Sequence, residues 1–511
     1  MNKVIYSFQT NKSKFVFVSI LLIFFFLSFT KQINLTNSDI GRHIKNGEIF
    51  IKEKKIISTN FYSYTNTYFE TINHHWLSGV LFYLVYSISS FTGLSLFYTF
   101  IHIVSLGLLS YIAYKKSGFI IASFITLLSI PLINTRSEVR PEGFSYLFIS
   151  VYLFLLYLLD KQKINKIVFL ISIILIQLLW VNMHIYFIIG LFILGSYLLT
   201  RLLNKKSIKL LTITLVFSTL ACFANPWGLK GVLEPFNIFK DYGYMLAENQ
   251  SVFFMQKRSF GFSYIYFELI VIFSLFLTYF LWKHKRFKKY IFEVILHLSF
   301  TILAFRFIRS IPLVGLSLVP FASKTIVLIE NIIRTSLEKI IVSIAATLFT
   351  FFLLVPNQIF SLINNNFGFG LMNNSVSSAE FFKENNIEGP IFNNYDIGGY
   401  LIYYLHPEKV FVDNRPEAYP TSFFEETYVP MQEDESIWEE KLSEYNFNAI
   451  FFYRHDMTPW AQPFLIERIE DSEWVPVFVD DFTILFVKNN EGNKKVIEKY
   501  KLPDSTFRID K

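Results

Sequence analysis

The sequence has little of what usually stabilises a water-soluble protein of this length. Of its 511 residues only 17% are charged, one is cysteine, and glycine and proline contribute just 20 and 16. A single cysteine, Cys222, excludes an intrachain disulfide and a cysteine-based metal site. The low charge, with 53% apolar residues and a mean hydropathy of +0.40, excludes a cytosolic enzyme and a disordered protein. The composition is that of a polytopic membrane protein.

Charge divides the chain near residue 372. Residues 373–511 hold 13 Lys+Arg and 26 Asp+Glu, whereas residues 1–372 hold 34 and 14. We therefore predict a mainly α-helical transmembrane domain over residues 1–372, with a first outer loop at 31–75. Residues 373–511 are predicted to form a small, soluble, extracytoplasmic α/β domain.

The first part is a series of apolar runs joined by short polar links. About twelve runs are candidate membrane segments, and the one that starts at Trp76 is short for a full crossing, so we expect eleven or twelve crossings. Basic links such as KHKRFKK, from Lys283, are expected on the cytoplasmic side, which places the longer loops on the outer side of the membrane. The candidate segments begin near Phe15, Trp76, Leu94, Gly118, Phe144, Ile167, Ile185, Ile208, Ser263, Tyr290, Ile311 and Ile340.

The last part alternates short strands and helices. The runs GPIFNN, KVFVD and NAIFFY are predicted strands, and WVPVFVDDFTILFVKN is a predicted hairpin that turns at Asp480 and Asp481. SSAEFFKEN, DIGGYLIYYL and IWEEKLSEYN are predicted helices. The paired glycines of DIGGYLIYYL predict a close approach to a neighbouring backbone.

The first outer loop carries the most informative polar residues. Asp39 follows the first apolar run, His43 comes soon after, and His74 and His75 precede the next run. A carboxylate at the bilayer surface is partly desolvated, which suits it to proton abstraction. The alternative is that Asp39 caps a helix over residues 40–47, and helical periodicity alone favours the cap.

From this loop onwards six segments share the pattern of a known family: GEIFIKEKKIISTNFYSYTN, HHWLSGVLFYLVY, RSEVRPEGFSYLF, WVNMHIYFIIGL, NPWG and YDIGGYLIYYLHPEKVFVDNRPEAY. Through them the chain resembles the bacterial GT-C class of membrane glycosyltransferases and their uncharacterised relatives. The resemblance implies a helical bundle in a bacterial inner membrane, a polyprenyl-phosphate sugar donor and an inverting mechanism in which Asp39 is the catalytic base. Two positions depart from the family pattern: Asn60 stands where an Asp is usual, and His75 where a Glu is usual.

Two arginine-bearing stretches are candidates to hold the phosphate of such a donor. Arg136 and Arg140 lie in NTRSEVRPEG, where the alternative is surface ion pairs of Arg136 with Glu138 and of Arg140 with Glu142. Arg306 and Arg309 lie in FRFIRSIP, three residues apart and so expected on one helical face. Snorkelling towards lipid headgroups is the alternative for that second pair.

WVNMH contributes Trp180, Asn182 and His184 as candidate substrate contacts, with Trp180 as a platform for a sugar ring. The alternative is an interfacial tryptophan and a structural histidine. In FVDNRPEAY, Asp413, Arg415 and Glu417 follow a predicted strand, and contact with the acceptor is one interpretation of them. We favour the alternative, in which Asp413 and Arg415 form a pair that fixes a turn and docks this domain on the membrane part.

No cofactor is expected. A divalent ion at Asp39, His43, His74 and His75 is an alternative that no HxxxH or HExxH spacing supports. The absence of P-loop, GxGxxG and GxSxG motifs gives no motif support to nucleotide-driven transport or serine hydrolysis. Nucleic-acid binding is not indicated either, because the basic residues lie in membrane loops.

The sequence thus predicts a membrane glycosyltransferase that moves a sugar from a polyprenyl-phosphate donor to an envelope glycan or lipid-linked acceptor at the outer face. Its expected partners are membrane lipid, the donor and the acceptor. Two alternatives remain: a transporter or flippase of lipid-linked glycans, and a non-catalytic envelope scaffold of the same fold.

Overall fold

The structure is a computed structural model that describes residues 11–237, 240–259, 261–332 and 366–507. Contacts divide the chain into two compact units. The helical unit comprises Met1–Gln32, Ser95–Pro235 and Leu246–Phe369, and the mixed unit comprises Ile33–Leu94, Phe236–Met245 and Gly370–Lys511. The predicted segment that begins near Ile340 lies outside the described residues.

Long apolar helices dominate the helical unit, as the composition predicts. Among the described residues, five helices are long and apolar enough to cross a membrane by length and composition: Trp76–Asn134, Glu142–Asp160, Lys166–Met183, Phe262–Lys283 and the stretch Ile308–Ile329. Two shorter apolar helices add to them, Phe187–Leu203 and Lys209–Ala221. In chain order the helices are α1 (Asn11–Phe29), α2 (Ile40–Glu53), α3 (Trp76–Asn134), α4 (Glu142–Asp160), α5 (Lys166–Met183), α6 (Phe187–Leu203), α7 (Lys209–Ala221), α8 (Leu229–Asn237), α9 (Val252–Arg258), α10 (Phe262–Lys283), α11 (Ile291–Arg306) and α12 (Ile311–Ile332).

Helix α3, although continuous over 59 residues, is not one rod. Two residues within it have a left-handed backbone, Ser90 at φ 55° and Gly118 at φ 77°. The chain reverses at Gly118. The evidence is that the hydroxyl groups of Ser110 and Thr126, sixteen positions apart in the sequence, lie only 3.0 Å from each other. A straight helix would place those residues about 24 Å apart. The breaks correspond to the predicted separate segments near Trp76, Leu94 and Gly118.

The mixed unit contains α2, the start of α3 and a four-stranded sheet. The strands are β1 (Ile391–Asn393), β2 (Ala449–Tyr453), β3 (Trp474–Val479) and β4 (Thr483–Lys488), in the order β1-β2-β4-β3. β1 and β2 are parallel, and the other pairs are antiparallel. The remaining helices are α13 (Ser377–Glu384), α14 (Gly398–Leu405), α15 (Pro430–Glu433), α16 (Glu435–Tyr445), α17 (Ala461–Glu470) and α18 (Lys494–Tyr500).

The alternation of strands and helices in this part agrees with the sequence, with one correction. The run KVFVD is not a strand of the sheet: Val410 forms only an isolated bridge to Ser63 of the first loop. Its apolar residues are nevertheless buried, since the ring of Phe411 packs 5.2 Å from that of Phe392. Burial in the core alone therefore explains its strand-like composition.

An aromatic core holds the sheet to its helices. The ring of Phe392 on β1 is fully buried and has five aromatic neighbours with centroids 5.1–5.5 Å away. Edge and tilted contacts of this kind add about 0.5–1.5 kcal/mol per pair beyond the area they bury. These neighbours are Phe411, Trp438, Phe447, Phe452 and Phe464.

Candidate active site

Asp39 lies directly before α2 in the mixed unit and is half-buried. Its side chain makes no capping hydrogen bond, so the predicted side-chain cap is wrong. The reason is its backbone, which is already helical (φ −76°, ψ −11°), whereas a capping residue usually has an extended backbone that lets its side chain reach back to the helix. The carboxylate instead accepts a hydrogen bond from the side-chain amide of Asn414.

The loop that supplies Asn414 is fixed by a buried ion pair. The Arg415 guanidinium donates from Nε and Nη2 to the two oxygens of Asp413, at 2.7 and 2.6 Å, and this is the predicted Asp413–Arg415 pair. Nη2 also donates to Asn60 Oδ1 at 3.0 Å. Burial opposes the charge of Arg415, but Asp413 outweighs it and raises the pKa of Arg415 above its ordinary value. Asn60, the amide that stands where the family pattern has an Asp, is therefore a hydrogen-bond acceptor for this ion pair.

The neighbouring Glu417 is a carboxyl group with a different environment. Burial raises the pKa of Glu417, and the positive charges of Arg42 and Arg415 only partly oppose that effect. The mixed unit thus contains two carboxyl groups close in sequence, Asp413 and Glu417, of which only Asp413 forms a salt bridge among the described residues.

The predicted histidine group of the first loop is brought together. The His43 ring lies 5.3 Å from that of His75, and the rings of His74 and His75 are 4.0 Å apart. A close crossing of α2 and the start of α3 causes this: a Cβ added at Gly47 would lie 2.1 Å from the carbonyl oxygen of Gly79. Only glycine at this crossing lets the two backbones approach so closely.

The helical unit holds a separate cluster of charges, which we call the arginine cluster: Arg136, Arg140, Glu142, Glu248 and Arg309. Its guanidinium groups lie 2.8–3.4 Å from the two carboxylates. The alternative surface pairs Arg136–Glu138 and Arg140–Glu142 do not form: Arg136 pairs with Glu142, Arg140 pairs with Glu248, and Glu138 lies 3.7 Å from Lys31. The cluster keeps a net positive charge, as three guanidinium groups face two carboxylates.

The pKa of Glu248 shows that the arginine cluster stabilises the ionised form of a carboxyl group. Burial alone would raise the pKa of Glu248, but Arg136, Arg309 and Arg140 lower it well below the ordinary glutamate value. Similarly, burial would raise the pKa of Glu138, but Lys31 and Arg140 lower it. The carboxylates therefore stay charged at neutral pH and hold the arginines in place.

A cavity of about 310 Å³ opens beside this cluster within the helical unit. Three cationic side chains line it, those of Lys31, Arg136 and Arg309, together with the carboxylate of Glu138. The buried Nε of Arg309 has no hydrogen-bond partner among the described residues. The rest of the lining is partly apolar, from Pro131, Ile308 and Ile311, and partly polar, from Asn134, Thr135, Ser263, Tyr264 and Asn366.

Arg306 is not part of this arrangement. Helix α11 ends at Arg306, Phe307 is extended (φ −139°, ψ 110°), and Ile308–Ser310 forms a separate short turn. The expectation that Arg306 and Arg309 share one helical face is therefore wrong. The guanidinium of Arg306 is exposed and lies 5.4 Å from the Phe307 ring.

The WVNMH residues are internal supports of the helical unit. Trp180 is completely buried, and its Nε1 donates to Ser145 Oγ at 2.8 Å. The same hydroxyl lies 2.8 Å from His184 Nδ1, and Asn182 donates to the carbonyl of Ala224 at 2.9 Å. Complete burial leaves no face of the Trp180 ring for a sugar, so the predicted stacking role does not agree with the structure.

Three side chains of these sites were not predicted from the sequence: Lys31, Glu248 and Asn414. Each meets its partner only through the fold, at separations of 103 to 375 residues along the chain. No local pattern marks them. Among the described residues, no group of three or more His, Cys, Asp or Glu side chains is arranged to hold a metal ion, so the alternative of a divalent ion gains no support.

No protein-family model and no curated protein matches the chain. Several solved structures, however, match the chain. The archaeal oligosaccharyltransferase AglB from Archaeoglobus fulgidus, in complex with an inhibitory peptide and a dolichol-phosphate, matches with a TM-score of 0.56 and 11% identity, over 95% of this chain and 75% of that one. ArnT from Cupriavidus metallidurans, in the apo state, matches with a TM-score of 0.53 and 13% identity, over 92% and 97%.

ArnT bound to undecaprenyl phosphate gives a TM-score of 0.51 at 12% identity, again over 92% of this chain and 97% of that one. The likeness extends over nearly the whole chain and includes the C-terminal part. It agrees with the resemblance seen in the sequence, and at these identities it concerns the fold. The chain therefore has the GT-C-like fold, a polytopic helical membrane part with a small C-terminal α/β part.

Proposed function

We propose that this protein is a membrane glycosyltransferase that moves a sugar from a polyprenyl-phosphate donor to an envelope glycan or lipid-linked acceptor at the outer face of the membrane. The observation that carries the proposal is the environment of the Asp39 side chain. Asp39 is a half-buried carboxylate that stands at the start of a helix without capping it, in a fold shared with enzymes of this class.

In the proposed reaction Asp39 acts as the general base. It takes the proton of the acceptor hydroxyl while that oxygen attacks the anomeric carbon of the donor sugar. The bond between that carbon and the phosphate oxygen breaks, and polyprenyl phosphate leaves with the bonding electrons. One displacement of this kind inverts the anomeric configuration, and a positioned base contributes about 10²–10⁴-fold to such a step.

The leaving phosphate needs positive charge, and the cavity of the helical unit is the candidate to supply it. Lys31, Arg136 and Arg309 line that cavity, and the adjoining arginine cluster keeps a net positive charge. Guanidinium groups can hold phosphate oxygens in a bidentate manner, and fixed charges of this kind stabilise a developing anion. We propose that these three side chains bind the donor phosphate.

His43, His74 and His75 are proposed to position a substrate near the first loop. Their rings form one group of tilted and edge-on contacts in the mixed unit. Trp180, Asn182, His184 and Arg306 are left out of this proposal because of their contacts or their exposure. Arg140 supports the site through Glu248, 3.4 Å away.

The proposal is tested by mass spectrometry of surface glycans. A deletion strain is complemented with the wild type, with Asp39→Asn or with a matched control, Asp504→Asn, whose side chain is exposed in the mixed unit. Equal amounts of each protein in the membrane are verified first. We expect one sugar to be lost in the deletion strain and restored by the wild type and the control only. Full restoration by Asp39→Asn would refute the role of Asp39 and favour transport or scaffolding.

A further inference from the structure

We infer that Asn414 is the positioning residue for the Asp39 carboxylate, and that it is delivered by the C-terminal part of the chain. This inference rests on the proposed function of Asp39 and extends it. The direct observation is the hydrogen bond from Asn414 Nδ2 to Asp39 Oδ1. Asn414 does not touch the reacting atoms; its role is exerted through Asp39.

The amide of Asn414 has a defined orientation. Its oxygen accepts a hydrogen bond from Arg42 Nε at 3.4 Å, which leaves its NH₂ group to face Asp39. An amide placed the other way would set its oxygen against the carboxylate and its NH₂ group against a guanidinium, so both contacts would be repulsive. Arg42, Asn414 and Asp39 therefore form a chain in which each donor meets an acceptor.

Close backbone packing keeps this chain in place. A Cβ added at Gly41 would lie 2.7 Å from the carbonyl oxygen of Gly399, and one added at Gly399 would lie 2.9 Å from that of Ser38. A Cβ at Gly398 would lie 2.4 Å from the Cα of Asp413. The start of α14 thus fits between the start of α2 and the loop that bears Asn414, as its paired glycines predicted.

The residues on either side of Asn414 are held in place by their own contacts. Asp413 and Arg415, on either side of Asn414, form the buried ion pair described above, and Asn60 accepts from the same guanidinium. Two anchored neighbours leave the Asn414 side chain little freedom. This is the supporting layer that a precisely oriented catalytic group requires.

The chemical consequence concerns the two oxygens of Asp39. Oδ1 is engaged by Asn414, whereas Oδ2 receives no hydrogen bond from the described residues. One oxygen is held and the other remains for the acceptor hydroxyl. A base held in this way loses less conformational entropy when it reaches the reactive geometry. A misplacement of about 1 Å can lower the rate roughly 100-fold.

The test compares three variants in membranes that contain the endogenous donor and acceptor, with product formation measured by mass spectrometry. Asn414→Ala removes the hydrogen bond, and we expect the initial rate to fall roughly 10- to 100-fold. Asn37→Ala is the matched control, because Asn37 also contacts the C-terminal part, through Tyr453, yet hydrogen-bonds to no carboxylate in the described part of the chain. We expect it to keep the wild-type rate. Asn414→Asp places two carboxylates together, so its rate should peak at higher pH than that of the wild type.

The outcomes separate this inference from the function on which it rests. If Asp39→Asn abolishes transfer while Asn414→Ala and Asn414→Asp keep the wild-type rate and pH profile, the proposed function stands and the inference is refuted. If Asp39→Asn is fully active, both fail. A merely structural role of Asn414 would lower the rate without moving the pH optimum of Asn414→Asp, and this result would also refute the inference.

A stability measurement tests the contact without any substrate. Asn414→Ala and Asp39→Asn, alone and combined, are compared by thermal unfolding of the purified protein. Residues in contact give non-additive effects, so the double variant should lose less than the sum of the single losses. Strict additivity would show that the two side chains do not interact.

Discussion

The crossing of α2 with the start of α3 allows a quantitative prediction about Gly47. In Gly47→Ala the new Cβ would lie 2.1 Å from the Gly79 carbonyl oxygen, whereas ordinary contacts begin at 3.4 Å. The backbones must separate by about 1.3 Å along that contact. Overpacking of this kind costs about 1–3 kcal/mol, and the better helix propensity of alanine returns up to about 1 kcal/mol.

We therefore expect a net local loss of about 2 kcal/mol in Gly47→Ala. Hydrogen exchange followed by mass spectrometry reports it directly, because such a loss makes the protected amides of α2 exchange roughly 30-fold faster. Gly107→Ala is the control: apart from its own turn of helix, no described residue lies within 4 Å of the added Cβ, and that helix should exchange as slowly as in the wild type or more slowly. Wild-type protection of α2 in Gly47→Ala would refute the close approach.

Two further predictions concern the helical unit. Glu248→Gln should destabilise it by roughly 1–2 kcal/mol at neutral pH, because the carboxylate contacts three guanidinium groups. Since the folded-state pKa of Glu248 is lowered, its contribution is present above the ordinary glutamate pKa and lost as the pH falls, so the two stability curves should converge in acid. Loss of helical circular dichroism during heating measures this, and a gap that persists in acid would contradict it. Arg309→Lys should reduce sugar transfer at least tenfold, because the planar, bidentate guanidinium group is lost. Arg306→Lys is the control, and because this side chain is exposed we expect no such reduction. Equal effects of the two variants would exclude the cavity as the phosphate site.

Local patterns in the sequence predicted much of the fold. Hydropathy located the apolar helices, and strand periodicity located β1, β2 and the β3–β4 hairpin. The paired glycines at 398 and 399 indicated a close backbone approach that the structure contains. These features depend on residues near each other in the chain, which is why a single sequence is enough to find them.

The errors arose where tertiary structure overrides local spacing. Arg306 and Arg309 are three residues apart, but the extended backbone of Phe307 ends the helix between them. The arginines of NTRSEVRPEG pair with Glu142 and Glu248 rather than with the nearest carboxylates. Glu248 lies 108 residues from Arg140, and no pattern in one sequence encodes such a contact.

The long separation between Asp39 and Asn414 has a consequence for biosynthesis. The two residues are 375 positions apart, and ribosomes add about 5–20 residues per second. Roughly 20–75 s therefore pass between the synthesis of the carboxylate and that of the amide that orients it. During this interval the nascent chain carries the carboxylate without its partner. The enzyme proposed here would gain its activity only late in its own synthesis, and products truncated before residue 414 would be inserted but inactive.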